Sequence, residues 1–116
     1  MRCRTYSDMG VTLYHRTDRA SAEVILREGF HDNTDYYLTA QLHTGVWLSN
    51  VPLDENDGAH GDFLLRVSLD ISESELARYE WIEEGKGHRE FLIPAKLVNG
   101  HSKVEIEDIR IEPEWV

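Results

Sequence analysis

A chain of 116 residues, 41% hydrophobic and 29% charged, is long enough for one modest core and short for two domains, so a single domain over residues 1–116 is expected. Its formal net charge of -10 is spread along the chain, with 9 acids and 5 bases in residues 1–58 and 13 and 7 in residues 59–116. A surface of that sign repels phosphate backbones and argues against nonspecific nucleic-acid binding, while it would suit a basic protein partner.

The single cysteine, Cys3, excludes an internal disulfide. No apolar run approaches the roughly 20 residues of a membrane helix, and residues 1–10 lack the apolar centre of a signal peptide. The cytoplasm is therefore the expected compartment.

In chain order, Val11 to His15 reads as a short strand. Asp18 is placed to cap a helix over residues 19–28, whose Ala22, Ile25 and Leu26 fall on one face. Gly29 is placed to end it, with Phe30 folding back onto it. The stretch DYYLTA reads as a strand or a turn of helix, and GVWLSN as a buried strand. VPLDENDGAHGD, residues 51–62, is the longest loop expected. FLLRVSLD reads as a strand, and SESELARYEWI as a helix with acids in its first turn. EEGKGH reads as a loop, and REFLIPAKLV as a strand that Pro94 bends or places at an edge. Asn99-Gly100 is a hairpin signal, and KVEIEDIRIE alternates as a closing strand. This order suggests an α+β domain with one or two mainly antiparallel sheets.

Chemistry has few carriers here. None of the six histidines has a histidine partner at i+4, and a zinc site needs three or four convergent ligands, so no metal is expected. There is no Gly-x-Ser-x-Gly elbow and no phosphate-binding P-loop motif. Three stretches remain, each with a polar or aromatic residue at or within an apolar run: His15 ending the first strand, Trp47 within GVWLSN, and Glu90 opening EFLIP. Taken singly, a satisfied histidine, a core tryptophan and a surface glutamate would account for them.

The ordered trio resembles the ADP-ribosyltransferase superfamily, in the His–Tyr–Glu branch shared by diphtheria-type toxins and poly(ADP-ribose) polymerases. YHRTDRASAEVILREGF matches that branch's strand-end histidine motif and the helix after it, GVWLSN its Gly-x-Tyr-Phe strand, and REFLIPAKLV its late glutamate-led strand. The resemblance spans roughly residues 11–100. It implies a split β-sandwich of two mainly antiparallel sheets with a few helices. It also implies NAD as substrate, with ADP-ribose passed to an unidentified protein, nucleic-acid or small-molecule acceptor as nicotinamide leaves.

By the same resemblance, Glu90 would hold the ribose 2′-hydroxyl and stabilise the oxocarbenium-like transition state. His15 would bind the adenosine ribose, and Trp47 would stack on nicotinamide. Thr17 and Ser49 would offer hydroxyls to the cofactor, and Arg16 would point away or grip a phosphate. Arg16 stands where the family carries glycine, and Trp47 where it carries tyrosine. Those two replacements favour an alternative, a non-catalytic module that binds NAD, ADP-ribose or a protein partner. NAD hydrolysis on the same fold is a further alternative, and a toxin or defence role would fit the size.

Overall fold

Strand β1, Val11–Thr17, sets the geometry of the sheet. Strand alternation sends Leu13 and His15 to one face and Tyr14 and Arg16 to the other. The computed structural model describes residues 10–36, 42–53, 61–82, 85 and 87–109. After β1 come α1 (Arg19–Glu28), β2 (Asn33–Tyr36), β3 (Leu42–Ser49) and β4 (Phe63–Leu69). Then follow α2 (Glu73–Leu76), a 3-10 turn at Ala77–Tyr79, β5 (Glu80–Trp81), β6 (Glu90–Ile93), α3 (Ala95–His101) and β7 (Ser102–Ile109).

Six strands make one antiparallel sheet in the order β5-β6-β3-β1-β4-β7, and β2 pairs with the first half of β3 off that path. The fold is α+β, as expected, but the two sheets of a β-sandwich are not found. The reason lies in β1. It pairs with β4 along its whole length, Val11↔Leu69 to Thr17↔Phe63, and also touches β3 at Tyr14↔Ser49, joining what would otherwise be two sheets. That join is a single register pair among the described residues. Beyond it, β1 and β3 diverge.

One face of the sheet carries the core. Leu13, Val46, Leu48, Val67, Phe91 and Ile93 pack there against Phe30, Leu76, Ala95 and Val98 from the helical side. Each large side chain fully removed from water contributes about 1.5–3 kcal/mol. The register places Tyr14, Trp47, Ser49, Trp81 and Glu90 together on the opposite face.

Helix α1 forms over the residues its sequence predicts, with Ala22 buried and Ile25 against the core, but Leu26, expected on the same face, is 43% exposed. The Asp18 carboxylate accepts a hydrogen bond from the Ser21 N–H at 2.7 Å, and Gly29 at φ 94° closes the helix with its N–H on the Ile25 carbonyl.

Three other expectations are corrected. SESELARYEWI is not one helix: four residues of α2 give way to a 3-10 turn, and Glu80–Trp81 extends to pair with β6. REFLIPAKLV is not one strand. Pro94 has no N–H for the ladder, and its carbonyl instead accepts from Leu97 and Val98 to start α3, while Asp32 accepts the Ala95 N–H at 2.8 Å. Asn99-Gly100 lies inside α3 rather than in a hairpin. The expected closing strand is seen as Ser102–Ile109; its remainder, with parts of DYYLTA, EEGKGH and the 51–62 loop, lies outside the described residues.

Asn99 has a different task. Its Oδ1 accepts the Phe30 N–H and its Nδ2 donates to the Phe30 carbonyl, both at 2.8 Å, fastening α3 to the chain that leaves α1. Asn99→Ala leaves both Phe30 backbone groups unpaired and is expected to cost about 1–3 kcal/mol, measured as a lower denaturant midpoint with an unchanged slope.

No helix among the described residues is long and apolar enough to cross a membrane.

Candidate functional site

Where β1 leaves β3, the backbone pairing is replaced by a side chain. The His15 ring reaches across the gap, its Nδ1 2.8 Å from the Trp47 carbonyl oxygen. A carbonyl only accepts, so Nδ1 carries the proton and Nε2 keeps its lone pair in the neutral ring. Burial holds the His15 pKa below its ordinary value of 6.5, with the Trp47 carbonyl pulling the other way. Phe30 packs edge-on against the imidazole, with ring centres 5.2 Å apart.

The gap opens into a cavity of about 490 Å³, within the range of small-molecule sites, roughly 300–1,000 Å³. Ala20, Val24 and Ile25 of α1 form one wall, Gly45, Val46 and Trp47 of β3 another, and Phe30 adds an aromatic surface. His15, Thr17, Ser21 and His31 supply the polar groups. Gly45 is at φ 151°, and a Cβ there would stand 3.1 Å from the Ile93 carbonyl oxygen, so glycine keeps β3 close to β6 at the cavity wall.

The six residues singled out from the sequence divide into two groups. His15, Thr17 and Trp47 line the cavity. Arg16, Ser49 and Glu90 do not line it. Arg16 points away and holds a loop: its Nε donates to the Leu53 carbonyl at 2.6 Å and its Nη1 to the Gly61 carbonyl at 3.3 Å. Ser49 is buried, with Oγ donating to the Val51 carbonyl at 2.7 Å beside the Tyr14 carbonyl at 3.4 Å, and so secures the β1–β3 join.

Glu90 pairs with Ser49 in register, while Trp47 pairs with Leu92. Glu90 and Trp47 are therefore diagonal neighbours on one face, roughly 7–8 Å apart by backbone spacing. The Trp47 indole meets Trp81 edge to face at 5.6 Å, and Trp81 is the cross-strand partner of Glu90. The indole thus lies on the face of Glu90, His15 lies on the core face, and the gap between β1 and β3 is where the two sets meet.

His88 was not foreseen. Its Nε2 is buried, has no hydrogen bond among the described residues and stands 3.6 Å from Glu90 Oε1, with the two side chains 12% and 14% exposed. The i, i+2 spacing of His88 and Glu90 at a strand entry was the available signal. Arg89 between them anchors this entry. Its guanidinium donates to Glu80 through Nε and Nη2 and to Glu73 through Nη1, and its backbone exchanges hydrogen bonds with Asn50. Phe30, Ser21 and Gly45 were also missed as cavity residues, because helix periodicity and strand propensity mark them only as packing or capping positions.

The lowered His15 pKa has a consequence for stability. The unfolded chain takes up this proton before the folded one, so the contribution of the neutral ring is complete above pH 6.5 and is lost as pH falls below it. His15→Asn keeps a donor for the Trp47 carbonyl and removes the titration. Thermal melts of both proteins from pH 8 to 5 should show the wild type losing more stability than the variant below pH 6.5, while the other histidines cancel in the difference.

Among the described residues no group of three or more histidine, cysteine, aspartate or glutamate side chains converges to hold a metal. Comparisons with protein-family models, with curated proteins and with solved structures find no match.

Proposed function

We propose that the chain is a small NAD-dependent ADP-ribosyltransferase whose cofactor enters the gap between β1 and β3. The observation that carries this reading is the His15–Trp47 contact. The protein's own backbone fixes the imidazole as an Nδ1–H tautomer and leaves Nε2 as a hydrogen-bond acceptor for a ribose hydroxyl beside a ligand-sized cavity. The diagonal placement of Glu90 and Trp47 on adjacent strands supports it further. A ring held at Trp47 lies within one sugar's reach of the Glu90 carboxylate.

The chemistry is simple in its parts. The C1′–N bond of the nicotinamide riboside breaks with its electron pair leaving on nicotinamide. Glu90 stabilises the positive charge that develops at the ribose, and an acceptor nucleophile forms the new bond to C1′. The acceptor is a protein side chain, a nucleic-acid group or a small molecule; water in its place gives NAD hydrolysis.

A second reading has its own support. Glu90 stands outside the cavity lining and Arg16 is committed to loop carbonyls, which suits a module that binds NAD or ADP-ribose without cleaving it. Incubating the purified protein with NAD, with and without cell lysate, separates the readings. Nicotinamide released only with lysate supports transfer, and release without it supports hydrolysis. Saturable binding with no release in either case overturns the enzyme reading and leaves the module.

A further inference from the structure

Among the described residues the cavity holds features for a ring and a sugar, and its one group that could carry positive charge, His31, faces Glu28 at 3.8 Å. Phe30 offers aromatic surface, Val24 and Ile25 aliphatic surface, and His15 Nε2 with the Thr17 hydroxyl offers hydrogen bonds to a ribose. No lysine or arginine is among the described lining residues. Arg16, next in sequence to His15, spends its guanidinium on the Leu53 and Gly61 carbonyls. Arg19 is exposed and faces Glu23 at 3.8 Å.

The helix start nearest the cavity is also closed to anions. Ala20 and Ser21 of the first turn of α1 line the cavity, and the free amides of such a turn commonly receive a phosphate. Here the Asp18 carboxylate already accepts the Ser21 N–H at 2.7 Å, placing a negative charge where the phosphate would sit. The chain's net charge of -10 adds repulsion of the same sign.

We propose that this cavity grips the nucleoside part of its ligand, flat ring with ribose, and leaves the phosphates in water, so that an unphosphorylated nucleoside binds as well as its 5′-phosphate. The inference rests on reading this cavity as the cofactor site. Within that reading, the phosphates of NAD contribute little to affinity, and binding depends weakly on salt.

The test is calorimetric titration of the intact protein with two pairs, nicotinamide riboside against its mononucleotide and adenosine against its 5′-monophosphate, at low and high salt. The expected result is that in at least one pair the nucleoside binds within about threefold of the nucleotide, or more tightly. Nucleotides that bind more than about threefold tighter than their nucleosides in every pair that binds overturn the proposal, as does the absence of binding by all four at about 5 mM.

Asp18→Asn is the second arm. Asparagine caps a helix as well as aspartate does, so the fold is kept while the charge is removed. The variant should tighten the nucleotide about two- to fivefold and leave the nucleoside unchanged. An unchanged nucleotide affinity contradicts the electrostatic argument. Nucleoside binding without nicotinamide release from NAD would sustain this inference and sink the transferase. Release from NAD with strong phosphate preference would do the reverse.

Discussion

On the transferase reading, Glu90→Gln is expected to slow nicotinamide release about a hundredfold or more while NAD still binds. The carboxylate is mostly buried, stands 3.6 Å from His88 Nε2, and lies diagonally from Trp47 on the same face of the sheet. A preorganised charge facing a developing oxocarbenium ion acts on the transition state far more than on the bound substrate, and removing one such group typically costs two to three orders of magnitude, roughly 100- to 1,000-fold. Glutamine keeps the shape and the β6 register, so the melting temperature should change little. Measuring nicotinamide release and NAD affinity on the same preparation checks both halves. Wild-type turnover in the variant removes Glu90 from the chemistry.

The largest effect on stability is expected at Gly61. This residue sits at φ 120°, and a Cβ on it would fall inside the van der Waals shells of the Thr17 carbonyl carbon and oxygen. Both obstacles are backbone atoms at the junction of β1 and α1, so neither can rotate away. Gly61→Ala therefore combines strained φ with overpacking, about 2–6 kcal/mol together. For a domain whose total stability is on the order of 5–15 kcal/mol, that is enough to shift the denaturant midpoint strongly or to unfold the chain. The same contact ties the site to the loop: Arg16 holds the Gly61 carbonyl, and Thr17 lines the cavity. A variant with a wild-type midpoint would show that the loop moves off Thr17 at little cost.

The parts of the fold that were legible are those written in local chemistry. Asp18, the apolar face of residues 22–26 and Gly29 mark both ends of α1, because a cap and a left-handed stop act within one turn. The parts that misled were settled by distant partners. Asn99-Gly100 carries a turn signal, yet Asn99 is engaged by the Phe30 backbone from 69 residues away, inside a helix that starts on Pro94. Glu80 and Trp81 continue a helical pattern but are drawn into the sheet by β6 and by the Glu80–Arg89 ion pair. The expected division into two sheets fails on a single pair, Tyr14↔Ser49, which no periodicity encodes.

For the candidate site, sequence order brought His15, Trp47 and Glu90 into consideration together, and the fold gathers His15 and Trp47 at the cavity but leaves Glu90 outside its lining. Thr17 and Ser49 were singled out by adjacency to motifs, and Arg16 by its place in the first motif. Adjacency along a strand alternates faces: Thr17 lines the cavity, while Arg16 and Ser49 serve the architecture around the gap. His88 was missed because its i, i+2 spacing to Glu90 says nothing of the burial that sets its Nε2 3.6 Å from Glu90 Oε1.

The central claim is that His15 presents an unprotonated Nε2 to a ligand between β1 and β3. Long-range ¹H–¹⁵N spectroscopy of the histidine rings at pH 7.5, titrated with NAD, tests it most directly. The account predicts the Nδ1–H tautomer for His15 in the free protein and a saturable shift of its Nε2 resonance as NAD binds. An Nε2–H tautomer, or an Nε2 resonance that stays fixed at saturating NAD, would contradict it.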